Sequence, residues 1–151
     1  MAEEQKPLEL LVIDDDEVIR HLFEEVAKIV GANVTTAVDG QEGIAMYEER
    51  YGTATPYDAV ITDLNMPKAT GVDVTRRVKE LSPKTPVYVV TGVEANAEYR
   101  RLSAELGELK PDGVLQKPFG LQDLRDVLGQ IKSQISGTEN QPYQPPTPNQ
   151  S

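Results

Sequence analysis

The amino-acid sequence predicts an α/β fold in which five parallel strands, each followed by a helix, form a doubly wound (βα)5 sheet. Short segments rich in β-branched residues alternate with segments whose apolar residues have helical spacing. The third and fourth strand segments are nearly continuous apolar runs, which is typical of central parallel strands covered on both faces. A length of 151 residues suits one domain with a substantial core.

Each predicted strand is short and bounded by Gly, Pro, Asn or Asp. The five strands are predicted at residues 8–13, 33–38, 57–62, 86–91 and 112–116. Crossovers between parallel strands are right-handed almost without exception, and strand order 2-1-3-4-5 is a common result for five such units. Ligands of these sheets bind beyond the carboxyl ends of the strands, where the order reverses, which here lies between strands 1 and 3.

The predicted helices lie between the strands, at residues 17–30, 41–51, 72–81, 94–106 and 121–135. The first has an apolar stripe that we expect to be buried, and Gly31 is placed to end it. The stripe consists of Val18, Ile19, Leu22, Phe23, Val26, Ile29 and Val30. Residues 107–113, GELKPDG, are expected to form a lengthened loop before strand 5.

Polar residues that are distant in sequence fall at the carboxyl ends of the predicted strands. Strand 1 is followed by Asp14, Asp15 and Asp16, strand 3 by Asp63, strand 4 ends at Thr91, and strand 5 leads into Lys117. Crowded carboxylates repel one another unless a cation compensates them. An open acidic cleft suits Mg²⁺, which takes one or two carboxylates and keeps room for phosphate oxygens. A carboxylate beside that ion can attack phosphorus, with lysine and hydroxyl groups neutralising the phosphoryl oxygens.

Composition excludes several other kinds of chemistry. The chain has no cysteine and one histidine, so thiolate sites are excluded and a histidine metal site is disfavoured. A formal net charge of −10, without a basic patch, disfavours direct binding to nucleic acid. The N-terminal apolar run is too short for a signal peptide or a membrane span, so we expect a cytoplasmic protein with no membrane contact.

Four blocks, LLVIDDDEVIR, VITDLNMPKATG, VVTG and LQKPF, occur in an order and spacing that resemble the receiver domain of two-component response regulators. The resemblance covers about residues 8–135 and implies the flavodoxin-like form of the doubly wound fold. It also implies that Asp63 is the phospho-acceptor, that Asp14 and Asp15 hold Mg²⁺ with the backbone carbonyl of Asn65, and that Thr91 and Lys117 contact the phosphoryl group. The Lys117–Pro118 peptide is expected to be cis.

The function implied by the resemblance is a signalling switch rather than an enzyme. The phosphoryl donor would be a histidine kinase or a histidine phosphotransfer protein, and the surface of the fourth helix, fifth strand and fifth helix would control a downstream protein. The sequence departs from the family pattern at Val114, where receivers typically place Tyr or Phe. Leu64 and Val93 are apolar where other receivers can position a hydrolytic water, so the phosphate is expected not to be short-lived.

Other readings of the acidic edge stay open at the level of sequence. A degenerate receiver would serve as a constitutive docking module. A small aspartyl-phosphate phosphatase would need a second acid two residues after its nucleophile, where this chain has Asn65. A flavodoxin-like cofactor binder would need Gly, Ser and Thr after strand 1, where this chain has three aspartates.

Residues 1–135 are assigned to the receiver domain and residues 136–151 to a tail or linker. The last segment has lost apolar periodicity and is rich in Pro, Gln and Asn, which predicts disorder. Its Pro-x-x-Pro spacings are compatible with a polyproline II ligand, a spacing that arises easily in any Pro-rich tail.

Overall fold

The structure, a computed structural model, describes residues 6–92 and 96–136. Ten elements alternate along these residues as the sequence predicts. They are β1 Glu9–Ile13, α1 Glu17–Val30, β2 Asn33–Ala37, α2 Gly40–Arg50, β3 Ala59–Asp63, α3 Gly71–Leu81, β4 Val87–Thr91, α4 Ala97–Leu109, β5 Gly113–Gln116 and α5 Leu121–Ser136. No helix in this part of the chain combines the length and apolarity that crossing a bilayer requires.

The five strands form one parallel sheet in the order β2-β1-β3-β4-β5, so the predicted fold class and strand order are confirmed. β1 lies between β2 and β3, and its last residue, Ile13, is paired with Ala37 and Thr62. Asp63 of β3 is paired with Val90 of β4. The reversal of strand order therefore brings the ends of β1 and β3 together at one edge of the sheet.

The helices cover both faces of the sheet and form two separate apolar cores. On one face, α1 and α5 pack on side chains such as Leu10, Val12 and Tyr88. On the other, α2, α3 and α4 pack on Leu11, Ile13 and their neighbours. Alternate residues of the same strand enter opposite cores because successive side chains point to opposite faces. Both faces of β3 and β4 are buried, which explains their continuous apolar sequences.

The predicted stripe of α1 is wider than the face that the helix buries. Phe23, Val26 and Ala27 are buried, whereas the side chains of Val18 and Ile29 are 71% and 61% exposed. One face of a helix spans little more than 100° of its circumference, so the outermost members of a seven-residue apolar set turn towards solvent. Gly31 ends α1 in the left-handed conformation at φ 77°, as predicted.

The prediction of a lengthened loop before β5 is wrong. α4 continues to Leu109 and ends at Lys110 with φ 55°, so most of the extra sequence is helical. Asp112 then fixes the start of β5. Its Oδ2 accepts hydrogen bonds from Lys79 Nζ and from the amide of Val87, both at 2.8 Å.

Two predicted segments, the start of the fourth helix and the C-terminal tail, fall partly outside the described residues. The fourth helix was predicted from residue 94, and residues 93–95, including Val93, are not described. α5 ends at Ser136, one residue beyond the predicted end at 135. Apart from Ser136, the segment assigned to a tail also lies outside the described residues.

Candidate functional site

The carboxylate of Asp63 lies where β3 reaches the edge of the sheet. The residue is 7% exposed. The next amide, that of Leu64, donates to the carbonyl oxygen of Val90 at 2.9 Å, and this bond keeps the end of β3 on β4. Leu64 itself is buried in the core. The strand thus ends by presenting one carboxylate while the following apolar side chain turns inward.

Asp14 and Asp15 follow β1 at the same edge. The amide of Asp14 donates to the carbonyl oxygen of Ala37 at 3.1 Å, and its carboxylate Oδ1 accepts from the amide of Asp16 at 2.9 Å. Asp16 caps α1 by accepting from the amide of Val18, as its position before the helix predicts. Asp14 is buried and Asp15 is exposed.

Three carboxylates meet at this edge. One oxygen from each of Asp14, Asp15 and Asp63 lies within 4.8 Å of the others. Burial, followed by the charge of Asp14, raises the pKa of Asp63 to about 7. Burial also raises the pKa of Asp14 to about 6, against the hydrogen bond from the Asp16 amide, which lowers it. Asp14 Oδ2 is buried and has no hydrogen-bond partner among the described residues. This donor set fits a hard divalent cation, because all its ligand atoms are carboxylate oxygens and one of them lacks a partner.

Thr91 and Lys117 complete the edge from the other side. Thr91 is 7% exposed at the end of β4. The amide of Lys117 donates to the carbonyl oxygen of Thr91 at 2.7 Å, which ties the end of β5 to the end of β4. Lys117 Nζ lies 3.6 Å from Asp63 Oδ1. The Lys117–Pro118 peptide is cis, as predicted.

The sequence profile of the family described as response regulator receiver domain matches residues 10–129 of the chain. This chain belongs to that family. It is the receiver domain of a two-component response regulator, which confirms the resemblance found in the four sequence blocks.

Individual relatives of this receiver domain differ in size. The two-component response regulator ARR22 of Arabidopsis thaliana is 30% identical over 115 residues, covering 76% of this chain and 77% of the relative. The autoinducer 1 sensor kinase/phosphatase LuxN of Vibrio campbellii is 32% identical over 120 residues, 80% of this chain, but the match spans only 13% of LuxN. The structure of chemotaxis response regulator CheY4 of Vibrio cholerae superposes with a TM-score of 0.68 at 26% identity, over 83% of this chain and 99% of that one.

The segment between β3 and α3 of this receiver domain is held by contacts that the sequence did not reveal. The amide of Gly71 donates to the carbonyl oxygen of Leu64 at 2.7 Å. A Cβ on Gly71 would collide with the carbonyl oxygen of Asp63 and lie 2.8 Å from the Cα of Leu64. Asn65 lies exposed within this segment. The glycine directly before a predicted helix was the available signal, since close approach of two backbones is one reason for glycine there.

A second contact that sequence reasoning missed involves Arg20 of α1. Its guanidinium Nη1 donates to the carbonyl oxygen of Asp14 at 2.7 Å. In the sequence, Arg20 and His21 are polar residues within an apolar stretch of a predicted helix, which is typical of solvent-facing positions. Periodicity therefore carried no signal for a bond back to the turn that precedes the helix.

The raised pKa values of Asp14 and Asp63 predict the pH dependence of stability without Mg²⁺. Between the unfolded value of 3.8 and the folded values of about 6 and about 7, the folded state binds more protons than the unfolded chain. Raising the pH through this window therefore favours unfolding. We expect the free energy of unfolding to fall by about 4 kcal/mol from pH 5 to pH 8 in EDTA. Urea titrations followed by circular dichroism measure it.

The control for this prediction is the double variant Asp14→Asn, Asp63→Asn. It lacks both titrating groups and should lose most of the decrease, because the raised pKa values that produce it belong to these two carboxylates. Mg²⁺ at pH 8 should stabilise the wild type and leave the double variant unchanged. An equal pH dependence in both proteins would contradict the assignment to these carboxylates.

Proposed function

We propose that this receiver domain is a phosphorylation-dependent signalling switch that accepts a phosphoryl group on Asp63. One observation carries the proposal: the buried Asp63 carboxylate at the end of β3 faces two further carboxylates on one side and Lys117 Nζ at 3.6 Å on the other. An acceptor of this kind needs an anionic oxygen, a site for a divalent cation and a fixed positive charge, all within reach of one phosphoryl group.

The chemical step is an in-line displacement at phosphorus. A carboxylate oxygen of Asp63 forms a bond to phosphorus as the bond from phosphorus to the donor breaks. With a phosphohistidine donor, the electron pair of the P–N bond returns to the imidazole, which takes up a proton. The nucleophile must be ionised, and burial opposes ionisation by raising the pKa of Asp63 to about 7. Lys117 lowers that pKa and favours the reactive form.

Asp14, Asp15, Asp63 and the backbone carbonyl of Asn65 are the proposed ligands of Mg²⁺. When bound, the ion neutralises the carboxylates and the phosphoryl oxygens. Thr91, at the adjacent end of β4, is the proposed hydroxyl donor to the phosphoryl group, and Lys117 its cation. The amide of Lys117 is bonded to the carbonyl oxygen of Thr91, so a movement of one residue would displace the other.

The proposed output is a change at the α4-β5-α5 surface that controls a partner protein in the cytoplasm. The phosphoryl donor is a histidine kinase or a histidine phosphotransfer protein. Val114 is half-buried on β5, paired with Val89 of β4, so this chain lacks an aromatic ring at that position to turn inward. Phosphorylation would then act by shifting the population of α4 positions. The protein is proposed to catalyse nothing beyond its own phosphorylation and slow dephosphorylation.

Intact mass spectrometry after incubation with acetyl phosphate tests the proposal directly. We expect one phosphoryl adduct per chain with Mg²⁺ and none in EDTA, with the modified peptide containing Asp63. An adduct that forms equally without Mg²⁺ would contradict the role of the acidic edge.

A constitutive docking module is the second candidate, favoured by the substitution at Val114. A folded wild type that binds Mg²⁺ and forms no adduct would support it. An aspartyl-phosphate phosphatase is disfavoured, because the exposed residue two positions after Asp63 is Asn65 rather than an acid.

A further inference from the structure

Asp15 lacks the side-chain support that its two neighbours in the acidic site have. Asp14 accepts from the amide of Asp16, and Asp63 lies beside Lys117. The exposed carboxylate of Asp15 makes no hydrogen bond or ion pair with any residue in the described part of the chain. Only the backbone on either side of Asp15 therefore determines where its carboxylate lies.

Arg20 holds that stretch of backbone with two hydrogen bonds. Its amide donates to the carbonyl oxygen of Asp16 at 3.1 Å, and its guanidinium Nη1 donates to the carbonyl oxygen of Asp14 at 2.7 Å. One residue of α1 thus bonds to the peptide unit that precedes Asp15 and to the one that follows Asp16. The side chain of Arg20 runs from the first turns of the helix back to the end of β1, and the residue is half-buried.

The bond to Asp14 also removes an electrostatic conflict at the site. A carbonyl oxygen without a donor, next to three carboxylates, adds further negative potential to an acidic cleft. A guanidinium is always charged and donates in a fixed planar geometry, so its bond to a carbonyl is stronger than that of a neutral donor. A lysine at position 20 would keep the charge but lacks the planar set of N–H donors of a guanidinium.

We propose that Arg20 is a positioning residue for the cation site, holding the Asp14–Asp16 turn so that Asp15 is oriented before Mg²⁺ arrives. The inference rests on the proposed function, because it concerns the same site. Groups that orient metal ligands without touching the metal typically change metal affinity by about 10- to 100-fold when they are removed. A preoriented ligand also loses less conformational entropy on binding.

Two substitutions separate geometry from charge. Arg20→Met removes the charge and the side-chain hydrogen bond to Asp14 but keeps the backbone bond to Asp16, and Arg20→Lys keeps the charge. Lys28→Met is the matched control: it removes one positive charge from an exposed position on the same helix, where Lys28 pairs with Glu25. Mg²⁺ affinity is measured by NMR, following the backbone amides of the Asp14–Asp16 turn in the full chain. The Mg²⁺ concentration that gives half-maximal phosphorylation by acetyl phosphate is a second measure of Mg²⁺ affinity.

We expect Arg20→Met to weaken Mg²⁺ binding about 10-fold and Arg20→Lys about 3-fold, with Lys28→Met at the wild-type value. The phosphorylation rate at saturating Mg²⁺ should stay within about 2-fold of wild type, because Arg20 acts on the ligands and not on the phosphoryl group. Wild-type Mg²⁺ affinity in Arg20→Met would overturn the proposal. If Arg20→Met does not fold, wild-type Mg²⁺ affinity in Arg20→Lys would overturn the proposal instead.

The two proposals fail differently. A wild type that binds Mg²⁺ and forms no adduct overturns the proposed function. The NMR titration then still measures how substitution of Arg20 changes Mg²⁺ affinity. A wild type that forms the adduct beside an Arg20→Met protein with unchanged Mg²⁺ affinity overturns only the role of Arg20.

Discussion

Replacing Asp63 by asparagine is expected to abolish the phosphoryl adduct and to stabilise the fold at neutral pH. The amide has no anionic oxygen to attack phosphorus, so the loss should be complete in the acetyl phosphate assay. The same change removes a buried carboxylate whose pKa is raised to about 7 by burial and by Asp14. We expect the free energy of unfolding at pH 7.5 in EDTA to rise by about 1–2 kcal/mol.

Asp126→Asn is the control for this substitution. Asp126 is an exposed carboxylate on α5, bonded only to Gln122 among the described residues, so its replacement should leave both the adduct and the stability unchanged. An adduct of equal yield on Asp63→Asn would place the acceptor elsewhere. A loss of stability in Asp63→Asn would mean that the buried carboxylate is compensated in the folded state.

Substitution of Gly71 by alanine is expected to destabilise the protein strongly, by about 2–4 kcal/mol. The added Cβ meets the backbone of Asp63 and Leu64, and backbone atoms in a central strand have little freedom to retreat. The hydrogen bond from Gly71 to the carbonyl oxygen of Leu64 is strained by the same collision. Because β3 ends at this point, Mg²⁺ affinity should fall together with stability. Urea unfolding and the NMR titration measure the two effects.

Gly107→Ala is the matched control, since it adds the same methyl group to a glycine in α4. Apart from its chain neighbours and the backbone of its own helix, no atom of the described residues lies within 4 Å of the position that a Cβ would take at Gly107. Alanine there should stabilise the protein by up to about 1 kcal/mol, because glycine is a poor helix former. Equal effects of the two substitutions would show that the close approach at Gly71 does not constrain the fold.

The fold and the principal site could be predicted because both depend on patterns that sequence displays. Alternating segment types specify the parallel sheet, and a parallel sheet gathers the residues at its strand ends. Asp14, Asp63 and Lys117 therefore came together in the prediction although they are far apart in the chain. Strand ends are the one part of this architecture where position in sequence implies position in space.

The errors arise where burial depends on packing between elements. The exposure of Val18 and Ile29 follows from how α1 sits on the sheet, which apolar spacing alone does not give. The continuation of α4 through Gly107 was hidden because glycine and proline near a helix end normally predict a loop. Arg20 and Gly71 act through backbone atoms of other segments, and sequence patterns describe side chains.

The fixed end of α4 determines how any displacement of that helix is distributed. Asp112, three residues after the helix ends, is joined to α3 through Lys79, to β4 through the amide of Val87 and to α5 through Gln134. The opposite end, at Ala97, follows the segment that leaves Thr91. With thirteen residues at about 1.5 Å each, α4 is about 20 Å long, and any rotation about its anchored carboxyl end would grow along that length. A small rotation about that end would move the first turn by the largest distance. A partner that distinguishes two positions of this helix would therefore do so best by contacting the first turn, near Tyr99.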